Sequence, residues 1–205
     1  MTLFETMRAE AGHVALLDRH LARLAASAAA FGLAYRDAEV RAALAEALAG
    51  AAPALVHRVR LTVGDVIAAT AEPLAGAGFR TVWLCPDPLR EAGGPLCIHK
   101  TTDRAHYETP FRAARAAGAD EAILVNTRGE VVEGSRTSVW AEYDGRVWTP
   151  PLAAGGLPGV MRQWLLDTRP DAAEATLTPA DLRAADALYV SNALRGLVSV
   201  RLSGS

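Results

Sequence analysis

Lys100 is the residue of the sequence best placed for covalent chemistry. It follows the apolar run Leu96-Cys97-Ile98 and precedes Thr101-Thr102. Removing an amine from water lowers its pKa and favours the nucleophilic, unprotonated form. Lys100 is therefore a candidate to form a Schiff base with a carbonyl group. Taken alone, the same position also suits an ordinary surface lysine, because lysines are rarely buried.

Glu133 is a second candidate, because it ends an apolar strand pattern just before Gly134-Ser135. A carboxylate that faces inward at such a point can keep the nitrogen of a pyridine ring protonated. A protonated ring can then accept the electrons released when a bond at the substrate's amine-bearing carbon breaks. A solvated glutamate at a strand end is the alternative interpretation.

Two further features could bind a phosphate group. The segment 157–162, Leu-Pro-Gly-Val-Met-Arg, opens a predicted helix, whose first backbone N–H groups have no partner within the helix. Arg23, on the first predicted helix, could add a charge-assisted contact. Each signal is common by itself.

The elements that must position these residues follow from the hydrophobic pattern. Apolar residues recur at helical spacing from Leu17 to Phe31, and Gly32 ends the run. Alternating apolar and polar residues, separated by turn residues, indicate strands and hairpins. The further predicted helices are 37–48, 103–117, 160–167 and a short one that Thr178-Pro179 caps. After a short strand-like opening, the predicted strands are 59–63, 66–70, 80–84, 122–126, 130–133, 139–143, 146–148, 188–190 and 197–201.

The composition of residues 72–78 is that of a linker, which places a domain boundary there. The prediction is an α+β protein with a small N-terminal α+β domain, residues 1–76, and a larger C-terminal domain, residues 77–205. The hairpins of the second domain favour a mixed or antiparallel sheet.

Composition excludes several classes of function. The chain has 205 residues, is 51% hydrophobic and carries a formal net charge of −2, without a clustered basic stripe. This argues against nucleic-acid and membrane partners and favours a small-molecule substrate. There is no signal-peptide pattern and no apolar stretch of about 20 residues, so we expect a cytoplasmic protein. Cys85 and Cys97 form no metal-binding pattern, and we expect both to be reduced.

An ordered set of motifs resembles the class IV aminotransferase family, the fold-type IV enzymes that use pyridoxal 5′-phosphate (PLP). The resemblance runs from Leu3 to about Val200 and implies the family's two-domain fold, with a barrel-like sheet in the larger domain. Its motifs are Phe4-Glu5-Thr6-Met7-Arg8, residues 20–28 (His-Leu-Ala-Arg-Leu-Ala-Ala-Ser-Ala), His99-Lys100-Thr101-Thr102-Asp103-Arg104, Glu133-Gly134-Ser135, Thr149-Pro150-Pro151, residues 157–162 and Ser191-Asn192-Ala193-Leu194.

This resemblance implies a role for each matching residue. Lys100 is similar to the family's catalytic lysine, which holds PLP as a Schiff base, and Glu133 to the partner of the pyridine nitrogen. The implied phosphate-binding groups are Arg23, the backbone of Val160 and Met161, and the turn at Asn192-Ala193. Arg104, Tyr107, Arg58 and Arg60 are candidate substrate contacts, and Tyr107 is also a candidate partner of the cofactor's phenolic oxygen or a core residue. Members of the family form homodimers.

The details of these motifs resemble 4-amino-4-deoxychorismate lyase more than the transaminases. Residues 100–104, 159–164 and 191–194 carry this likeness. The implied reaction releases pyruvate and 4-aminobenzoate, a folate precursor, with Lys100 as base and then acid. The alternative is an aminotransferase acting on branched-chain or D-amino acids.

The sequence departs from the family pattern in two places. The β-hairpin that usually precedes the Phe-Glu-Thr segment is missing, and Ser138 stands where an asparagine is usual. These departures leave open a binding or structural protein that keeps only the fold. They also leave open a pocket that a second subunit completes.

Overall fold

A computed structural model describes residues 1–203 of the chain. The residues divide into two compact units, of which the first combines Met1–Ala77 with His99–Asp103. The second unit combines Gly78–Ile98 with the chain from Arg104 onward. Both units contain helices and strands, which confirms the predicted α+β class.

The first unit is a four-stranded antiparallel sheet that packs against two helices. The strand order is β2-β1-β3-β4. Alternate residues of the central strands, among them Leu3, Met7, Val59 and Leu61, are buried in one apolar cluster with the helices. The elements are β1 (Leu3–Glu10), β2 (His13–Val14), α1 (Leu17–Ala30), α2 (Asp37–Ala49), β3 (Val56–Val63) and β4 (Ile67–Pro73).

Helix α1 ends where its sequence predicts. Gly32 has a φ of +64°, the left-handed conformation that glycine adopts without strain. The N–H of Gly32 donates to Ala29 O and that of Leu33 to Ala28 O. These two bonds form a Schellman motif, which closes the helix.

The second unit is built on a mixed eight-stranded sheet with the order β10-β9-β8-β11-β12-β5-β6-β7. Its β5–β6, β5–β12 and β9–β10 pairs are parallel, and the others are antiparallel. The elements are β5 (Thr81–Leu84), α3 (Pro95–Ile98), α4 (Ala105–Ala116), β6 (Glu121–Val125), β7 (Val131–Gly134), β8 (Ser138–Tyr143), β9 (Arg146–Thr149), a 3-10 helix (Leu152–Ala154), α5 (Val160–Thr168), β10 (Ala172–Glu174), α6 (Pro179–Ala184), β11 (Ala187–Asn192) and β12 (Gly196–Leu202).

Helix α4 is packed so that one of its side chains meets the end of β7. Tyr107 and Ala114 of α4 lie in an apolar cluster with Leu124 of β6 and Val132 of β7. In the β6–β7 ladder Leu124 pairs with Glu133. The core therefore fixes Tyr107 and Glu133 on neighbouring elements.

Several features differ from the sequence predictions. The segment His99–Asp103, which contains Lys100, belongs to the first unit, whereas the sequence places it in the second domain. The reason is backbone pairing with the chain's first residues, described below. Strand β4 extends to Pro73, inside the predicted linker, because its ladder with β3 continues to the His57–Pro73 pair. The short elements β2, α3 and β10 were not predicted. Across residues 1–203, no helix is long and apolar enough to cross a membrane.

Candidate active site

Lys100 is held by main-chain pairing with the start of β1. The N–H of Phe4 donates to Lys100 O at 3.0 Å, and the N–H of Thr102 donates to Thr2 O at 2.9 Å. Leu3 and Thr101 form an antiparallel bridge between these bonds. The backbone of Lys100 is therefore fixed like that of a strand residue.

The side chain of Lys100 lies over an aromatic ring. Its Nζ is 4.9 Å from the ring centroid of Phe4, and the guanidinium carbon of Arg60 is 4.1 Å from the same centroid. Phe4 is buried and Lys100 is half-buried. The side chains of Lys100 and Arg60 thus contact the same aromatic ring.

Lys100 is also the only lysine among the 205 residues, because every other basic side chain counted with it is an arginine. Arginine stays protonated in proteins and has no nucleophilic nitrogen at neutral pH. This signal is present in the sequence, and the motif-based prediction above did not use it. It makes Lys100 the only side chain of the protein that can form a Schiff base with a carbonyl compound.

Arg23 is joined to Glu5 in a buried ionic group. The Arg23 Nε donates to Glu5 Oε1 at 2.8 Å, and Nη2 donates to Oε2 at 2.6 Å. His20 Nδ1 lies 2.8 Å from Glu5 Oε2. Burial alone would raise the pKa of Glu5, but the Arg23 charge and the hydrogen bonds from His20 and Arg23 lower it to about 2. Glu5 and His20 were not predicted as members of the site, because their contacts are visible only in the fold.

This ionic group fixes the orientation of the Arg23 guanidinium. A guanidinium has five N–H donors, and the two bonds to Glu5 fix the plane of the group. The phosphate contact of Arg23 stays a prediction. Since Phe4 and Glu5 are successive residues of β1, Lys100 and Arg23 contact neighbouring positions of one strand.

Glu133, in the second unit, is buried, and its carboxylate accepts hydrogen bonds from a side chain and from the backbone. Tyr107 Oη donates to Glu133 Oε1 at 2.5 Å, and the N–H of Leu157 donates to the same oxygen at 3.0 Å. A Cβ placed on Gly156 would lie 3.2 Å from Glu133 Cδ, so the backbone approaches the carboxylate closely there. The prediction that Glu133 faces inward agrees with this geometry.

Arg104 and Tyr107 lie with Glu133. The guanidinium carbon of Arg104 is 4.6 Å from the ring centroid of Tyr107, and Arg104 Nη2 donates to Ser135 O at 2.6 Å. Arg104 therefore supports both the ring that contacts Glu133 and the turn that follows Glu133. Whether it also contacts a substrate stays a prediction.

The turn after Glu133 is fixed by Glu121, a residue the sequence analysis missed. Glu121 is fully buried and accepts hydrogen bonds from the N–H of Ala122 and Arg136 and from the hydroxyls of Ser135 and Thr137. Burial raises its pKa, and these four donors only partly offset that effect.

The predicted phosphate-binding groups of the second unit start a helix and a turn. Helix α5 begins at Val160, and its N-cap is Gly159, which has no side chain to cap the first N–H groups. The other group, Asn192, accepts from the N–H of Leu194 and Arg195 through Oδ1. Its Nδ2 donates to Arg136 O at 3.3 Å, which links the Asn192-Ala193 turn to the turn fixed by Glu121.

The described residues form no alternative centre of metal chemistry. Within residues 1–203, no group of three or more His, Cys, Asp and Glu side chains could hold a metal ion. Cys97 is buried, and burial, followed by the nearby Glu133 charge, raises the pKa of its thiol to about 11. It is therefore a protonated core residue at neutral pH rather than a nucleophile.

Comparison with known proteins identifies the class of enzyme. The family model described as "Amino-transferase class IV" matches residues 2–202. A Schizosaccharomyces pombe protein, provisionally named as an aminodeoxychorismate lyase, is 32% identical over 170 residues, which are 80% of this chain and 73% of that protein. A Mesorhizobium loti crystal structure, provisionally named as an amino-acid aminotransferase, is 39% identical, with a TM-score of 0.89 over 98% of this chain and 99% of that one.

A second solved structure carries a provisional name as a 4-amino-4-deoxychorismate lyase. It is 31% identical, with a TM-score of 0.84 over 98% of this chain and 84% of its own. The predicted two-domain fold-type IV architecture is thereby confirmed, and the chain is an enzyme of the lyase or aminotransferase type. The protein belongs to the class IV aminotransferase family.

Proposed function

We propose that this protein is a PLP-dependent lyase that converts 4-amino-4-deoxychorismate to 4-aminobenzoate and pyruvate. The observation that carries the PLP assignment is that the single lysine of the chain is half-buried against Phe4, within a motif that resembles the family's cofactor-lysine motif. The lyase assignment is supported by two relatives, each more than 30% identical, whose provisional names carry that activity. It also rests on the motif likeness of residues 100–104, 159–164 and 191–194.

The residues present fit PLP by the chemistry of their donors. Lys100 supplies an amine for the aldehyde, and Glu133 supplies a buried carboxylate, oriented by Tyr107 and the N–H of Leu157, for a protonated ring nitrogen. Glycine at position 159 lets the start of α5 pack closely against Ser138, since a Cβ there would lie 2.7 Å from Ser138 Oγ. Arg23, the N–H groups of Val160 and Met161, and the Asn192-Ala193 turn would hold the phosphate.

In the proposed mechanism, Lys100 transfers a proton and Glu133 keeps another proton in place. PLP, when bound, supplies an electron sink for bonds broken at the substrate's amine-bearing carbon. Lys100 Nζ takes the proton from that carbon and afterwards returns a proton as an acid. Glu133 holds a proton at the ring nitrogen. Loss of the carbon-bound proton and cleavage of the bond to the enol ether oxygen together form an elimination, so pyruvate leaves and no oxidant is consumed.

The test supplies enzymatically generated 4-amino-4-deoxychorismate to the PLP-loaded protein and measures both products. We expect 4-aminobenzoate and pyruvate in equal amounts, and neither from Lys100→Ala or from Lys100→Arg, which keeps the positive charge. Borohydride reduction followed by mass spectrometry should place PLP on Lys100 in the wild-type protein. PLP attached to Lys100 without product release would contradict the lyase and keep the cofactor assignment.

An aminotransferase is the second candidate, favoured by the 39% identity to the Mesorhizobium loti structure with that provisional name. Such an enzyme would use the same lysine but leave the amino group on the cofactor. Incubation with branched-chain or D-amino acids, without a 2-oxo acid, would then convert the bound cofactor to its amine form. The lyase predicts no such conversion during pyruvate release.

We also propose that the protein acts in the cytoplasm as a homodimer and supplies a folate precursor. These proposals rest on the family resemblance. Light scattering of the purified protein tests the dimer, which should have about twice the chain's 21.6 kDa mass.

A further inference from the structure

Tyr107 reaches from α4 to the carboxylate at the end of β7. Its Oη is 2.5 Å from Glu133 Oε1 and 3.4 Å from the carbonyl oxygen of Cys97. The Tyr107 side chain is almost wholly buried, and the cluster with Ala114, Leu124 and Val132 fixes its ring. The hydroxyl is therefore aimed at Glu133 by packing.

The direction of this hydrogen bond follows from the two groups. A tyrosine hydroxyl has one hydrogen, and an ionised carboxylate can only accept. Burial, followed by the adjacent Glu133 charge, raises the pKa of Tyr107 well above its usual range. Tyr107 thus stays a donor over the working pH range, and its only hydrogen is directed to Glu133.

This use of the hydroxyl bears on the roles predicted for Tyr107. A hydroxyl whose hydrogen is given to Glu133 cannot also donate to a substrate or to the phenolic oxygen of the cofactor. Tyr107 and the N–H of Leu157 both donate to Oε1, so the plane of the carboxylate is fixed by two bonds from different elements. Arg104, stacked on the Tyr107 ring, supports that arrangement.

We propose that Tyr107 is a positioning residue that fixes the Glu133 carboxylate for the ring nitrogen of PLP. The proposal rests on the proposed function, because it takes PLP as the cofactor and Glu133 as the partner of its nitrogen. It assigns Tyr107 no direct contact with the substrate.

The test compares PLP with an analogue whose ring nitrogen is replaced by C–H. Equilibrium dialysis of the cofactor-free protein gives a Kd for each compound. The Kd of the analogue divided by the Kd of PLP measures what the ring nitrogen contributes to binding. We expect Tyr107→Phe to lower that ratio about 10-fold, since hydrogen bonds to charged groups have about this effect. Glu133→Gln should lower it further, and Tyr107→Phe should have no additional effect in the Glu133→Gln background.

The matched control is Tyr189→Phe. Tyr189 Oη donates to Glu142 Oε2 at 2.6 Å, so this variant removes the same kind of bond at a different place in the second unit. We expect its ratio to equal that of the wild type. Equal losses of PLP and analogue affinity in Tyr107→Phe would mean a merely structural role and overturn the proposal, as would an unchanged ratio.

A measurement on the wild-type protein covers the case in which Tyr107→Phe does not fold. The 13C NMR signal of the Tyr107 Cζ, assigned by changing the other three tyrosines in turn, should move when PLP binds and stay when the analogue binds. A Tyr107 Cζ chemical shift that stays the same when PLP binds would contradict the positioning role. Failure of the proposed function is distinguishable, because borohydride would then leave no PLP on Lys100 of the wild type.

Discussion

Three glutamates are buried among residues 1–203, and each accepts from a different set of donors. Glu5 has the Arg23 guanidinium and the His20 ring, Glu133 has the Tyr107 hydroxyl and a backbone N–H, and Glu121 has neutral donors only. The partners set the charge, because a nearby cation stabilises a buried carboxylate far more than neutral donors do. The pKa of Glu5 is accordingly lowered, whereas that of Glu121 is raised.

The low pKa of Glu5 predicts part of the acid sensitivity of the cofactor-free protein. Its pKa falls from 4.5 to about 2 on folding, so Glu5 contributes stability above pH 4.5 that is lost as the pH falls toward 2. The difference corresponds to about 3 kcal/mol at pH 7, of which about 2 kcal/mol is lost by pH 3. Urea unfolding of wild type and Glu5→Gln should show their free energies of unfolding converging by that amount.

The control for this experiment is Glu46→Gln, which changes an exposed glutamate of α2. Its free energy of unfolding should stay parallel to that of the wild type between pH 7 and pH 3. A Glu5→Gln variant that also stays parallel would show that Glu5 is not ionised in the folded protein.

At this scale the sequence reveals residue types but not their partners. The inward position of Glu133 was predicted from a strand pattern, and the geometry agrees. Glu5 and Glu121 were missed because a glutamate in an apolar strand has the same pattern whether it faces a cation, a turn or solvent. The role of Lys100 stays a proposal, although its being the only lysine strengthens it.

Among the elements, the turn between β7 and β8 connects Glu133 with two other predicted site residues. It follows Glu133, its Ser135 carbonyl accepts from Arg104, and its Arg136 carbonyl accepts from Asn192. Glu121 fixes the turn through its carboxylate. Its Oε2 accepts from the N–H of Arg136 in the turn, and its Oε1 accepts from the N–H of Ala122 in β6. The arrangement of the second unit's site therefore depends on one buried residue outside it.

We expect Glu121→Gln to loosen this turn. A glutamine must place its NH2 group against one of the two backbone N–H donors, which leaves buried donors without an acceptor at a cost of about 2 kcal/mol. Urea unfolding at pH 7 measures this loss, and Glu46→Gln again serves as the matched change on the surface. A loss no larger than that of Glu46→Gln would mean that the turn does not depend on Glu121.

Helix α5 offers a second prediction at the scale of elements. A Cβ on Gly159 would lie 2.7 Å from Ser138 Oγ, so Gly159→Ala should shift the helix start and cost about 1–3 kcal/mol. Removing the hydroxyl with Ser138→Ala should recover part of that loss in the double variant. Thermal unfolding of the three variants checks this prediction. If the stability losses of the two single variants simply add in the double variant, the Cβ added at position 159 and the Ser138 hydroxyl are not in contact.

Most elements could be predicted because their own residues determine them. The 14 residues of α1 carry an apolar stripe and a glycine stop, and the Thr178 cap of α6 is a capping box in the structure. The short elements β2, α3 and β10 could not be predicted, since two to four residues carry no period and form only against a partner strand or loop.

At the scale of the whole molecule, the chain does not divide at one linker. It leaves the first unit after Ala77, returns for His99–Asp103 and leaves again at Arg104. The excursion could not be predicted, because composition marks linkers but not which segment pairs with β1. Its consequence is that Lys100 belongs to the unit that contains Arg23, whereas Glu133 and Tyr107 belong to the other unit.

The composition of the whole chain allows a direct test of the cofactor lysine. An amine-reactive acetylating reagent can modify only the α-amino group and Lys100, because no other lysine exists and arginine does not react. Lys100 is half-buried, so the reagent should reach it in the cofactor-free protein. PLP held on its amine should block that reaction, and intact-mass spectrometry should show one acetyl group fewer on the PLP-loaded protein.

The Lys100→Arg variant is the control for this labelling, since it keeps the charge and removes the amine. It should carry only the α-amino modification, with or without PLP. If the PLP-loaded wild type is acetylated as fully as the cofactor-free protein, the Lys100 amine is not engaged, and the chain contains no other side chain that could take its place. Because the other basic side chains counted with it are arginines, the state of the Lys100 amine alone tests whether the protein binds PLP as a Schiff base.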